Sequence, residues 1–117
     1  LPLLSERLEL IEPGDEIAPG LETFAAPSHT PGQLALSISS AGERLLALTD
    51  VFLHPIHVGH PEWTSPFDYD SQATIATRRR VYPQASTNDV LITAGHLPWP
   101  CLGNIRQDGV GWRWDGM

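Results

Sequence analysis

The stretch that decides the fold is Leu34-Ala35-Leu36-Ser37-Ile38-Ser39-Ser40-Ala41-Gly42-Glu43-Arg44-Leu45-Leu46-Ala47-Leu48-Thr49-Asp50. Leu34, Leu36 and Ile38 alternate with Ala35, Ser37 and Ser39, the period of two that marks a strand. Ser40-Ala41-Gly42-Glu43 is a tight turn, and Arg44 to Thr49 reads as the returning strand, so the segment predicts a β-hairpin. With the turn centred near Ala41-Gly42, partners across the hairpin sum to roughly 83, which sets Gln33 opposite Asp50 at the open end. His29 stands four residues before Gln33, and the Pro31-Gly32 turn can fold it back over that end so that His29 and Asp50 face each other.

Working outward, Leu21 to Ala26 reads as a strand, and residues 3–11 as a short helix or strand. Pro13-Gly14-Asp15 is a turn signal. Asp50 to Pro66 reads as a long loop. Asp70 or Ser71 can cap a helix to about Tyr82, limited by Pro83, with Arg78, Arg79 and Arg80 in its last turns. Val90 to Ala94 predicts a buried strand. Asn104–Gln107 and Val110–Trp114 predict a last hairpin turning at Asp108-Gly109. Several strands are apolar on both faces: Leu45 and Ala47 oppose Leu46 and Leu48, and Leu91 opposes Val90 and Ile92. Such strands want cover on both sides, and one helix covers only one.

Composition narrows the function classes. The chain has 117 residues, enough for a single domain, and a formal charge of −7. That balance disfavours nucleic acid and anionic membrane surfaces as partners. No apolar run approaches the roughly 18 residues of a membrane span. One cysteine, Cys101, forms no internal disulfide, and no signal-peptide pattern is present; both lead us to expect a cytoplasmic protein. The Leu1-Pro2-Leu3-Leu4 opening, with the single methionine at Met117, reads as a piece of a longer chain.

An imidazole and a carboxylate at one strand-end edge suit a borderline metal such as zinc. His96 follows its own strand after Gly95, and joins His29 and Asp50 if that strand runs beside the hairpin with its C-terminal end at the same edge. The competing reading is loop histidines making surface hydrogen bonds. His54, Trp63 and Trp99 are candidates to line a substrate pocket, or, for His54, to orient Asp50. His57 and His60 read as structural. Cys101 lacks an indicated base and is not read as a nucleophile.

Three segments in order resemble the metallo-β-lactamase fold superfamily. Ser28-His29-Thr30-Pro31-Gly32-Gln33 resembles its His-Thr-Pro-Gly-His motif. Leu45 to Asp50 resembles the strand ending in the bridging aspartate. Ala94-Gly95-His96-Leu97-Pro98-Trp99-Pro100 resembles the segment carrying the last histidine ligand. His60-Pro61-Glu62-Trp63, Phe67-Asp68-Tyr69-Asp70 and Thr77-Arg78-Arg79-Arg80 look like the branch of lactonases and methyl-parathion-hydrolase-like enzymes.

The resemblance implies an α/β fold: the C-terminal half of an αββα sandwich, with a mostly antiparallel, mixed sheet and one main helix, as a single partial domain over residues 1–117. It implies metal ligation by His29, Asp50 and His96, with Asp50 bridging two zinc ions, and hydrolysis of lactones or related esters by a metal-bound hydroxide. The family's His-x-His-x-Asp-His motif is absent, as no His-x-His occurs in the chain. Gln33 replaces the second histidine of the first motif, and Thr49 replaces a common glycine. No catalytic residue is assigned within this chain, which alone is expected to be inactive, with weak metal binding at most. The expected partners are a small-molecule substrate for the parent, and self-association or the N-terminal half for this piece. The alternative is a non-catalytic binding or assembly module that keeps the half-fold. A third possibility is a mononuclear site that recruits His54 or His57.

Overall fold

The computed structural model describes residues 2–87 and 89–117; Leu1, named in the sequence reading, lies outside the described residues. The elements in chain order are α1 (Pro2–Ser5), β1 (Glu16–Ala18), β2 (Leu21–Ala25), β3 (Leu34–Ser40), β4 (Glu43–Ala47), α2 (Ile56–Gly59), α3 (Ser71–Ala85), β5 (Leu91–Thr93), β6 (Leu102–Asp108) and β7 (Gly111–Gly116). The seven strands form one sheet in sequence order. Every neighbouring pair is antiparallel except β4 and β5, which run parallel. The long connection between those two strands contains α2 and α3, the crossover that a parallel pair requires.

The β3–β4 hairpin keeps the register read from the sequence, with Leu36 opposite Ala47 and Ser40 opposite Glu43. The returning strand stops at Ala47, two residues earlier than expected, because Thr49 takes a left-handed φ of 50° that no strand accommodates. Residues 3–11, open between helix and strand, contain only the end of α1. The 50–66 segment is not all loop, since it holds the single turn of α2.

The helix α3 differs most from expectation. Asp70 caps it, its carboxylate accepting from the Gln72 and Ala73 amides at 2.9 and 3.1 Å. It then continues through Pro83 to Ala85. Proline there forfeits one intrahelical bond, to the Arg79 carbonyl, and Arg79 is exposed, so water can serve that group. The arginine triplet therefore lies mid-helix and not in the last turns. Arg78 points inward and is fully buried.

The core lies on one face of the sheet. Ala35, Leu46, Ile92 and Ile105 are buried there against Val81, Tyr82 and Ala85 of α3 and Val51, Phe52 and Val58 of the preceding segment. Trp112 and Trp114 close this side, with Trp114 lying across Gly103, where a Cβ would meet its ring at 2.6 Å. On the opposite face, Leu36, Leu45, Leu91 and Leu102 are only half-buried and Ile38 is exposed. The two-faced apolar strands thus have one covered side. No helix among the described residues is long and apolar enough to cross a membrane.

The N-cap is testable by itself. Asp70→Ala should lower stability by about 1 kcal/mol in urea denaturation, without changing the slope of the transition.

Candidate functional site

The edge where β4 and β5 end is built by their parallel register. Leu45, Leu46 and Ala47 pair with Leu91, Ile92 and Thr93. The chains continue side by side, with the Leu48 amide donating to the Thr93 carbonyl at 2.8 Å and the Gly95 amide to the Thr49 carbonyl at 2.9 Å. The constant offset of this pairing carries on to Asp50 and His96, and their side chains meet with His96 Nε2 3.8 Å from Asp50 Oδ1. That distance exceeds a hydrogen bond. Both groups are open to solvent, at 36% for Asp50 and 68% for His96. Gly95 makes the approach possible, because a Cβ at that position would stand 2.8 Å from Asp50 Oδ1. The condition set for His96 in the sequence, a strand running beside the hairpin to the same edge, is met.

The β2–β3 connection that carries His29 reaches this edge through Gln33. Gln33 binds the two loops together. With its amide turned so that the oxygen faces these donors, Oε1 accepts from the Asp50 and Val51 amides at 3.2 and 3.1 Å, with Ser28 Oγ at 3.0 Å and Thr49 Oγ1 at 2.9 Å. Thr49 Oγ1 also lies 3.3 Å from the Leu34 carbonyl. The His29 ring itself bonds elsewhere: its Nδ1 is 3.2 Å from Asp68 Oδ1. Among the described residues, no three His, Cys, Asp or Glu side chains gather closely enough to enclose an ion. The structure therefore joins Asp50 to His96 and brings the His29 loop to the same edge, without closing the three into one shell.

The other candidates separate by surroundings. His54 is exposed and its Nδ1 accepts from the Ile56 amide at 3.2 Å. His57 Nδ1 accepts from the Leu53 amide at 3.3 Å and lies 3.4 Å from Arg78 Nη2. His60 stacks on Trp63, with ring centroids 4.0 Å apart. Trp63 and Trp99 are both exposed, and Cys101 Sγ donates to the Leu97 carbonyl.

Arg78 organises the loop behind the edge. Its Nε donates to the Val51 carbonyl at 2.7 Å, and Nη1 donates to the carbonyls of Pro61 and Trp63. Val51 follows Asp50 directly, so this buried cation fixes the backbone that carries the carboxylate. By sequence the arginine triplet looks like a helix end. Its inward role is signalled by the stripe Thr74, Thr77, Arg78, Val81, Tyr82 and Ala85, spaced at helical intervals and buried throughout.

Two consequences can be measured. Arg78→Met should cost about 3 kcal/mol, since one buried and two part-buried carbonyls lose their donor together. His57 loses proton affinity in the fold, chiefly through burial and then through the Arg78 and His54 charges, against an opposing pull from Asp68. The unfolded chain therefore binds more protons below pH 6.5, the ordinary histidine value. This contribution to stability is present above that pH and is lost as the pH falls towards the folded value. His57→Gln should flatten that part of the stability–pH curve.

No protein-family model matches the sequence, and no characterised protein matches it significantly by sequence. Solved structures do match by fold. The dizinc quorum-quenching lactonase AidC, solved in complex with a product, is 26% identical with a TM-score of 0.89 over 99% of this chain and 40% of its own. The hydrolase AbOPH of the beta-lactamase superfamily is 25% identical, with a TM-score of 0.89 over 98% of this chain and 40% of its own. A metal-dependent hydrolase from Staphylococcus aureus, 21% identical, matches with a TM-score of 0.80 over 97% of this chain and 41% of its own, a likeness of fold alone. The chain thus spans about two-fifths of the length of these enzymes. It has the fold of one half of a metallo-β-lactamase-like hydrolase: a mixed seven-stranded sheet with one main helix.

Proposed function

We propose that this chain is the C-terminal part of a metal-dependent hydrolase of lactones or related esters. In this reading His29, Asp50 and His96 would hold two metal ions, His29 on the first, His96 on the second and Asp50 shared between them. The observation that carries it is the register-locked meeting of Asp50 and His96 at the sheet edge, in a fold shared with a dizinc lactonase over 99% of the chain.

The donors suit divalent zinc in kind. His96 Nε2 and Asp50 Oδ1 stand 3.8 Å apart and both are open to solvent, so one ion could reach both donors. A carboxylate has two oxygens and a charge that two cations can share. The set is incomplete, because no third donor among the described residues closes on the pair. Further ligands would come from the preceding part of the parent, and this chain alone would bind an ion weakly and turn over no substrate. The ions, when bound, supply electrophilic activation of water and of the carbonyl under attack. The chain's own groups hold the geometry: Gln33 fixes the Asp50 backbone, Gly95 leaves room for the carboxylate, and Arg78 anchors the loop that follows it. The half-buried face of Leu36, Leu45 and Leu91 supports the same reading, its cover being the remainder of the parent.

The intact protein encoded with this segment should hydrolyse an N-acyl homoserine lactone, and a chelator should stop it. Asp50→Ala should lower the rate at least about hundredfold. Gly95→Ala, which pushes a methyl group against the carboxylate, should weaken zinc binding roughly tenfold with little loss of stability. Lactonase activity that survives both the chelator and Asp50→Ala would refute the proposal.

A further inference from the structure

A buried carboxylate beneath His29 has no part in the function proposed above. The Asp68 side chain is 1% exposed, against 31% for that of His29. Its two oxygens have different partners: Oδ2 accepts from the Ser65 amide at 3.1 Å, and Oδ1 faces His29 Nδ1 at 3.2 Å. The Asp68 amide donates back to the Ser65 carbonyl at 3.1 Å, so the carboxylate sits in a closed turn. The next residue holds the histidine backbone, as the Tyr69 amide donates to the His29 carbonyl at 3.1 Å. Thr77 Oγ1 of α3 donates to the Pro27 carbonyl in the same loop. The histidine is thus gripped at ring and backbone by residues 68 and 69.

An ionised carboxylate only accepts hydrogen bonds, so the ring nitrogen facing it must carry the proton. We propose that Asp68 is a positioning residue that fixes neutral His29 as its Nδ1–H tautomer, leaving Nε2 as the free lone pair for a metal ion. The proposal rests on the hydrolase reading for the identity of the ligand, but not for the tautomer. Nε2 has no hydrogen-bond partner among the described residues. A histidine on a metal commonly has its other ring nitrogen tied to a carboxylate in this way, which sets both the tautomer and the ring orientation.

The test uses the metal-free chain labelled with 15N-histidine, in long-range 1H–15N spectra at a pH where the ring is neutral. His29 should be predominantly the Nδ1–H form, which imidazole does not favour in water. Asp68→Ala should reduce that form to a minority. Asp68→Asn, which keeps the volume and a weaker neutral acceptor, should give an intermediate population in a fold with unchanged backbone shifts at β4 and β5. An Nε2–H His29 in the unsubstituted chain, or an Nδ1–H form unaltered in both variants, would overturn the proposal. Zinc added to the unsubstituted chain should then shift Nε2. If the tautomer depends on Asp68 but zinc leaves Nε2 unmoved, the metal reading falls and the tautomer assignment stands.

Discussion

The parallel pairing of β4 with β5 is the constraint on which the site depends. Three residue pairs set the offset, and two further backbone hydrogen bonds carry it past the ends of the strands. Because side chains alternate with a period of two, a slip of one residue would turn Asp50 and His96 to opposite sides. The hydrophobic pattern guards against that slip: Leu46 and Ile92 are buried beneath the helix, and a shifted strand would expose them. Core packing and the placement of two polar groups are therefore fixed by one register. Left-handed residues follow both strand ends at this edge, Thr49 two residues after β4 and His96 three residues after β5.

A second layer of order lies behind the edge. Buried Arg78 satisfies carbonyls on both sides of the 51–63 loop, and Tyr82 donates to the His57 carbonyl from the same helix. A guanidinium offers several donors in a fixed fork, which suits it to collecting carbonyls that a loop cannot pair internally. Burying that charge is costly in isolation. Here the cost is offset by a set of backbone bonds, and the loop gains a definite path from Asp50 to Trp63. The histidines of that loop are absorbed into the same scaffold: His57 faces the guanidinium, and His54 accepts from the Ile56 amide at the start of α2.

Much of this was legible from residues alone. Alternation in Leu34–Ile38 and a tight turn at Ala41-Gly42 set the hairpin register, and Asp50 could be placed at its open end. The parallel partner of β4 was not legible, because Leu91–Thr93 is a short apolar run that pairs equally well with several neighbours. The role of Arg78 was hidden by its two exposed arginine neighbours, which made the triplet look like a solvated helix end. Pro83 misled for a related reason: its effect depends on whether the carbonyl it orphans faces water, a property of packing. The His29–Asp68 contact spans 39 residues and brings together two loops, so no local pattern announces it.

The central claim is that Asp50 and His96 act as a pair toward one cation. A zinc titration of the chain tests it most directly, followed by the 13C signal of the Asp50 carboxylate and the ring 15N signals of all five histidines. The account predicts that Asp50 and His96 shift together along one binding curve, and that Asp50→Asn abolishes the His96 response. Zinc that moves His54 or His57 while Asp50 and His96 stay unchanged would contradict it.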